Sequence, residues 1–133
     1  MRWEEAFDPD ARSAAQCRRV VLAWLRDAGC PPQVIDDALL LEAELVGNAI
    51  RHARTPFTLT VSMERGRLRL AVFDRDSRPP ALMGLNAEST SGRGLNIVAA
   101  LAHEWGWDTA QDQEGVSGKV VWAELLLDPS SGQ

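Results

Sequence analysis

The residues of this sequence best suited to chemistry fall into four short stretches. In "ELVGNAIRHA", residues 44–53, a carboxylate (Glu44) and a carboxamide (Asn48) stand four apart in a run that otherwise suits a buried helix. On a helical wheel the apolar arc centres near Ala38, Leu45 and Ala49, which leaves Glu44 and Asn48 side by side on one flank with Arg51 on the same side. A carboxylate and an amide oxygen one turn apart suit a hard cation such as Mg²⁺, or a water or hydroxyl that must lose a proton. The same pair also fits two solvated boundary residues.

The second stretch is "VFDRDSRPP", where an alternating strand delivers Asp74 to its end. A carboxylate there can accept from the amino group of a ligand, or simply stabilise a turn. The third is "STSGRGLNIV", with Gly92 and Gly94 bracketing Arg93 just before a helix. Glycines allow close backbone approach, and free N–H groups at a helix start favour phosphate, although a Gly-x-Gly is equally a plain loop. The fourth is "GKVVWAEL", where Gly118 opens the last strand.

These stretches need elements to hold them. Between residues 12 and 28, Ala14, Val20, Val21, Trp24, Leu25 and Ala28 recur at helical spacing, and Gly29 is a stop. Pro31-Pro32 open a second helix running to about residue 53, with Val34, Ile35, Ala38, Leu39, Leu45, Val46, Ala49 and Ile50 inward and Thr55-Pro56 beyond its end. Glu42 also falls in that inward arc, where an unpaired carboxylate is costly. "TLTVSMERGRLRLAVFD" alternates on both sides of Arg65-Gly66 and predicts a β-hairpin. A polar loop spans residues 75–93, a third helix 94–104, and strands are expected at 105–110 and 119–127. The order ααββ, long loop, αββ predicts a two-layer α/β sandwich with helices on one face of a mixed, mostly antiparallel sheet. Residues 1–11 and 128–133 read as flexible ends of one domain, 12–127.

Composition narrows the function classes. Fourteen Lys+Arg against 19 Asp+Glu give a net charge of −5, which argues against direct nucleic-acid binding through phosphates. Cys17 and Cys30 are the only cysteines, too few for a disulfide framework or a zinc site. The acidic start "MRWEEAFDPDAR" lacks a signal-peptide core, and no apolar run suits a membrane span, so a cytoplasmic protein is expected. His52 is expected to pack inward, His103 to close the third helix, and the five tryptophans to serve core and interface.

Taken in order, Glu-x-x-x-Asn on a helix, Asp after a hairpin strand, Gly-Arg-Gly before a helix and a glycine on the last strand resemble the GHKL ATPase family. "ELVGNAIRHA", "GRGLNIVAALAHEWGW" and "GKVVWAEL" are similar to the small anti-sigma-factor serine kinases of the RsbW/SpoIIAB kind, including single-domain actinobacterial regulators. The resemblance covers about residues 12–127. It implies a Bergerat-type nucleotide fold that binds ATP and Mg²⁺. Asn48 would hold Mg²⁺, and Glu44 would orient or deprotonate the attacking hydroxyl. Asp74 would meet the adenine amino group. Gly92, Arg93, Gly94 and Leu95 would cover the phosphates, with Gly118 as the remaining nucleotide-binding position. The implied partners are a sigma factor and an anti-anti-sigma (STAS-type) protein carrying the acceptor serine, and a homodimer is a family expectation. The alternative is a nucleotide-binding anti-sigma or adaptor module of the same fold without catalysis. A sensor histidine kinase or a gyrase-type ATPase is disfavoured, since the one needs a phosphoacceptor helix pair and the other a transducer domain. The sequence departs from the family pattern at Asp76 and Arg78, which replace glycines, and at Lys119-Val120, where a threonine is expected.

Overall fold

Local signals set the two helices of the computed structural model, which describes residues 1–80 and 98–128. Helix α1 (Ala11–Asp27) starts where the Asp10 side chain accepts from the Ser13 N–H at 2.9 Å, satisfying one of the free donors of the first turn. Its buried face is Ser13, Cys17, Val21 and Leu25. Helix α2 (Pro32–Asn48) begins at the expected prolines and buries nine residues, from Val34 to Asn48. Full burial of each large aliphatic residue on this face, such as Leu41 and Leu45, contributes roughly 1.5–3 kcal/mol.

Both helices cover one face of a five-stranded sheet, in the order β1-β2-β3-β5-β4. The strands are β1 (Arg2–Phe7), β2 (Phe57–Glu64), β3 (Arg67–Asp74), β4 (Glu104–Gln111) and β5 (Ser117–Leu126). Every pairing among the described residues is antiparallel. The hairpin turns at Arg65-Gly66, with Leu59 opposite Val72 and Val61 opposite Leu70, all buried beneath the helices. The other face is mixed, with Ala71, Phe73, Val120 and Trp122 beside charged residues, and there the Arg69 guanidinium lies 4.5 Å from the ring centre of Trp122.

Three boundaries differ from the sequence reading. Residues 2–7 are a strand rather than a loose end, paired with β2 and anchored by Phe7, whose ring stacks on Phe57 at 5.6 Å. The second helix leaves α geometry at Asn48 and finishes as a π turn, Ala49–Ala53. Strand β4 begins at Glu104, one residue inside the span read as the third helix; the described part of that helix is 98–101.

Candidate functional site

The pairing of β3 with β5 brings Asp74 opposite Lys119 at the end of the sheet. Both are on the helix-covered face, with Asp74 fully buried and Lys119 2% exposed. The Lys119 ammonium donates to Asp74 Oδ1 at 3.0 Å and to the Asp76 carbonyl at 2.9 Å. The Asp76 N–H also donates to Oδ1, at 2.9 Å. One carboxylate oxygen of Asp74 is therefore doubly satisfied, while the other, Oδ2, is buried with no hydrogen-bond partner. A buried acceptor in that state costs free energy until a donor reaches it, and the amino group of a ligand is such a donor.

Gly118 explains how the strands come so close. A Cβ at this position would collide with the backbone carbonyl of Asp74, so only glycine lets β5 start against the end of β3. The loop leaving β3 is held by side chains where the resembled family has glycines. Asp76 accepts from the Arg78 Nε at 3.0 Å, from its terminal nitrogen at 2.6 Å and from its backbone N–H at 3.0 Å. Those bonds, the Arg78 side chain first, lower the Asp76 pKa to about 2. The Thr55 hydroxyl accepts from the Arg75 N–H at 2.9 Å, which ties this loop to the end of the π turn.

Glu44 and Asn48 lie one turn apart on α2, as expected; Glu44 is half-buried and Asn48 is 2% exposed. Asn48 is also the junction between the α-helix and the π turn, which packs against β3. Single π turns inserted in helices recur at functional sites because the extra residue re-aims the side chains around it. The turn closes with the Arg54 N–H on the Ala49 carbonyl at 2.8 Å. Re-aiming has a visible consequence: His52, expected inward, is exposed. Its pKa is lowered, first by partial burial and then by Arg51 and Arg54. Gly47 is buried beneath Arg51, whose guanidinium occupies the space a Cβ would need. A better helix former at residue 47 would displace that side chain.

Gly92, Arg93, Gly94 and Leu95 lie outside the described residues. Two of the open grooves among the described residues lie away from this site. One, of about 480 Å³, is on the helix-free sheet face among Arg67, Arg69 and Glu124; the other, of about 470 Å³, runs between α1 and α2 past Arg18 and Glu42. Neither includes Glu44, Asn48 or Asp74. Among the described residues no group of three or more His, Cys, Asp or Glu side chains could hold a metal ion. A Mg²⁺ at Asn48 would therefore draw its other ligands mainly from phosphate oxygens and water, as this ion commonly does.

Lys119 is the residue that the sequence reading missed. The resembled pattern marks its position only by a missing threonine, yet it is the only lysine among 14 Lys and Arg side chains and falls where β5 must meet the end of β3.

Comparison with known proteins agrees with this geometry. A family model described as "histidine kinase-like ATPase domain" matches residues 7–124. No curated protein sequence matches the chain. Among solved structures, one similar fold is the RsbU and RsbW domains of Rv1364c from Mycobacterium tuberculosis, at TM-score 0.67 and 19% identity. The likeness covers 93% of this chain but 32% of that one, so the chain spans about a third of its length.

Proposed function

The chain belongs to the histidine kinase-like ATPase family, and from that premise we propose that it is an ATP- and Mg²⁺-dependent anti-sigma-factor serine kinase. In this reading it phosphorylates a serine of an anti-anti-sigma (STAS-type) protein, and the unphosphorylated acceptor competes with a sigma factor for the same domain. The observation that carries the nucleotide part is the buried, unpartnered Oδ2 of Asp74 beside Gly118, an acceptor suited to an exocyclic amino group. The RsbW domain in the structural neighbour supports the choice of regulator class. No helix among the described residues is long and apolar enough to cross a membrane.

Within the site, Asp74 would orient the base, Asn48 would hold Mg²⁺ through its side-chain oxygen, and Glu44 would take the proton of the attacking serine. Gly92, Arg93, Gly94 and Leu95 would close over the phosphates, with Gly118 keeping the base side narrow. Mg·ATP supplies the transferable phosphoryl group and the cation that neutralises its charge, so the protein's share is positioning and one proton acceptor.

Saturating Mg·ATP is expected to raise the melting temperature by several degrees, and Asn48→Ala to abolish the Mg²⁺-dependent part of that rise. No shift with either ATP or ADP would sink the nucleotide reading. Labelled phosphate should pass from ATP to a STAS-type acceptor, and Glu44→Ala should slow transfer by on the order of 10²–10⁴. Undiminished transfer in that variant removes Glu44 from its role.

A second reading, a nucleotide-holding anti-sigma or adaptor module, is favoured by one observation. The loop after Asp74 is pinned by Lys119 and the Asp76–Arg78 ion pair rather than left to glycines. Wild-type protein that binds ATP but transfers nothing selects it.

A further inference from the structure

A buried lysine in a chain that otherwise uses only arginine for its cations calls for a reason that position-independent charge does not supply. An ammonium has three donors and no acceptor. Lys119 spends two of them, on Asp74 Oδ1 and the Asp76 carbonyl. The carboxylate it grips leaves its other oxygen, Oδ2, buried and without a hydrogen-bond partner. The end of β3 thus holds an unsatisfied acceptor (Oδ2) on the same carboxylate that binds an ammonium with one N–H to spare.

That pair matches one edge of a 6-aminopurine, where the exocyclic amino group donates and the adjacent ring nitrogen N1 accepts. A 6-oxopurine offers the reverse order, a carbonyl facing Oδ2 and an N1–H facing the ammonium. The pair cannot swap to suit it, because Oδ1 is held by both Lys119 and the Asp76 N–H. Lysine fits this place better than arginine: its charge is a compact point on a thin stem, with no planar fork to accommodate between two paired strands.

We infer that Lys119 is a specificity-determining residue of the base subsite, fixing Asp74 through Oδ1 and donating to the ring nitrogen beside the amino group. The inference rests on the ATP reading above and adds a residue for which that reading gave no role.

The test compares ATP with 1-deaza-ATP, which keeps the amino group and replaces N1 by a C–H, by calorimetry on the full chain. Wild type should bind 1-deaza-ATP more weakly than ATP by on the order of tenfold to a hundredfold, the value of one hydrogen bond to a charged donor. Lys119→Met should bind both more weakly and almost equally, because the variant has nothing left that distinguishes N1 from C–H. A merely structural ion pair would leave the ratio of the two affinities unchanged. With a single lysine in the sequence, selective ¹⁵N labelling gives one ammonium resonance in the wild type, which serves if the variant does not fold. That resonance should move with ATP and stay near its free position with 1-deaza-ATP. Equal binding of the two nucleotides by wild type, an unchanged ratio in Lys119→Met, or equal resonance shifts each overturn the inference and leave ATP binding standing. Failure of wild type to bind ATP at all overturns the functional reading, and the inference with it.

Discussion

The melting temperature of this domain is expected to fall as pH rises from about 5 to about 8, and Glu42→Gln to remove most of that slope. Glu42 is 2% exposed on α2, facing the groove against α1. Burial raises its pKa from the ordinary 4.5 to about 7, and Arg18 across the groove only partly opposes the rise. The folded protein therefore holds this proton more tightly than the unfolded chain does. Its stabilising contribution is complete below the unfolded value of 4.5 and is lost as pH climbs through about 7. A displacement of that size corresponds to on the order of 3 kcal/mol, or a melting-temperature change on the order of 10 °C for a domain of this length. His52 acts in the opposite sense, since its lowered pKa makes its contribution fade as pH falls below the usual 6.5. Comparing wild type with Glu42→Gln cancels that and every other titration. Thermal melts of the two proteins across the range should nearly coincide at the acid end and diverge above neutrality, with the variant the more stable. Curves that run parallel would show that Glu42 does not titrate as its burial requires.

The same residue shows what was legible in the sequence. Helical periodicity placed Glu42 among inward positions, and the structure buries it there. Periodicity likewise marked both helices and the hairpin, because each buries one face and leaves the other in water. It failed at "RWEEAF", where only Phe7 is buried and two consecutive glutamates hide the alternation. Such a strand exists through its pairing with β2, whose partner residues are 50 to 60 positions away, and its charges are of the kind that blunt a sheet edge. Periodicity failed again after Asn48, since one extra residue in a π turn changes the direction of everything beyond it, His52 included. Within the candidate site, Glu44, Asn48 and Asp74 could be found as a pattern of residue types, and the structure places each on the element expected for it. Lys119 could not, because the family pattern has a threonine at its place and assigns a lysine no role there. The physical signal was cross-strand: a carboxylate ending one strand and a lone lysine opening the strand that pairs with it.

Asp74→Ala is expected to destabilise the domain by about 3–5 kcal/mol, the cost of leaving one member of a buried ion pair without the other. The variant strands the Lys119 ammonium in the interior with only the Asp76 carbonyl as acceptor. Lys119→Met strands Asp74 in the same way, with one N–H left to it, from Asp76. Replacing both, as Asp74→Leu with Lys119→Met, should recover most of the loss and finish within about 1 kcal/mol of wild type, because well-packed apolar groups commonly match a buried pair. Urea denaturation of the four proteins measures this directly; a double variant as unstable as the worse single one would mean that the pair itself holds β3 to β5. If the pair can be exchanged at little cost, stability does not explain why a chain of arginines keeps its only lysine buried here. Nor does it explain why the carboxylate that this lysine grips has an oxygen without a donor. The proposed recognition of a nucleotide would explain both, and it sets a second requirement on the same protein: the recovered double variant should fold and show no stabilisation by Mg·ATP. A double variant stabilised by Mg·ATP as fully as wild type would take Asp74 out of the nucleotide site.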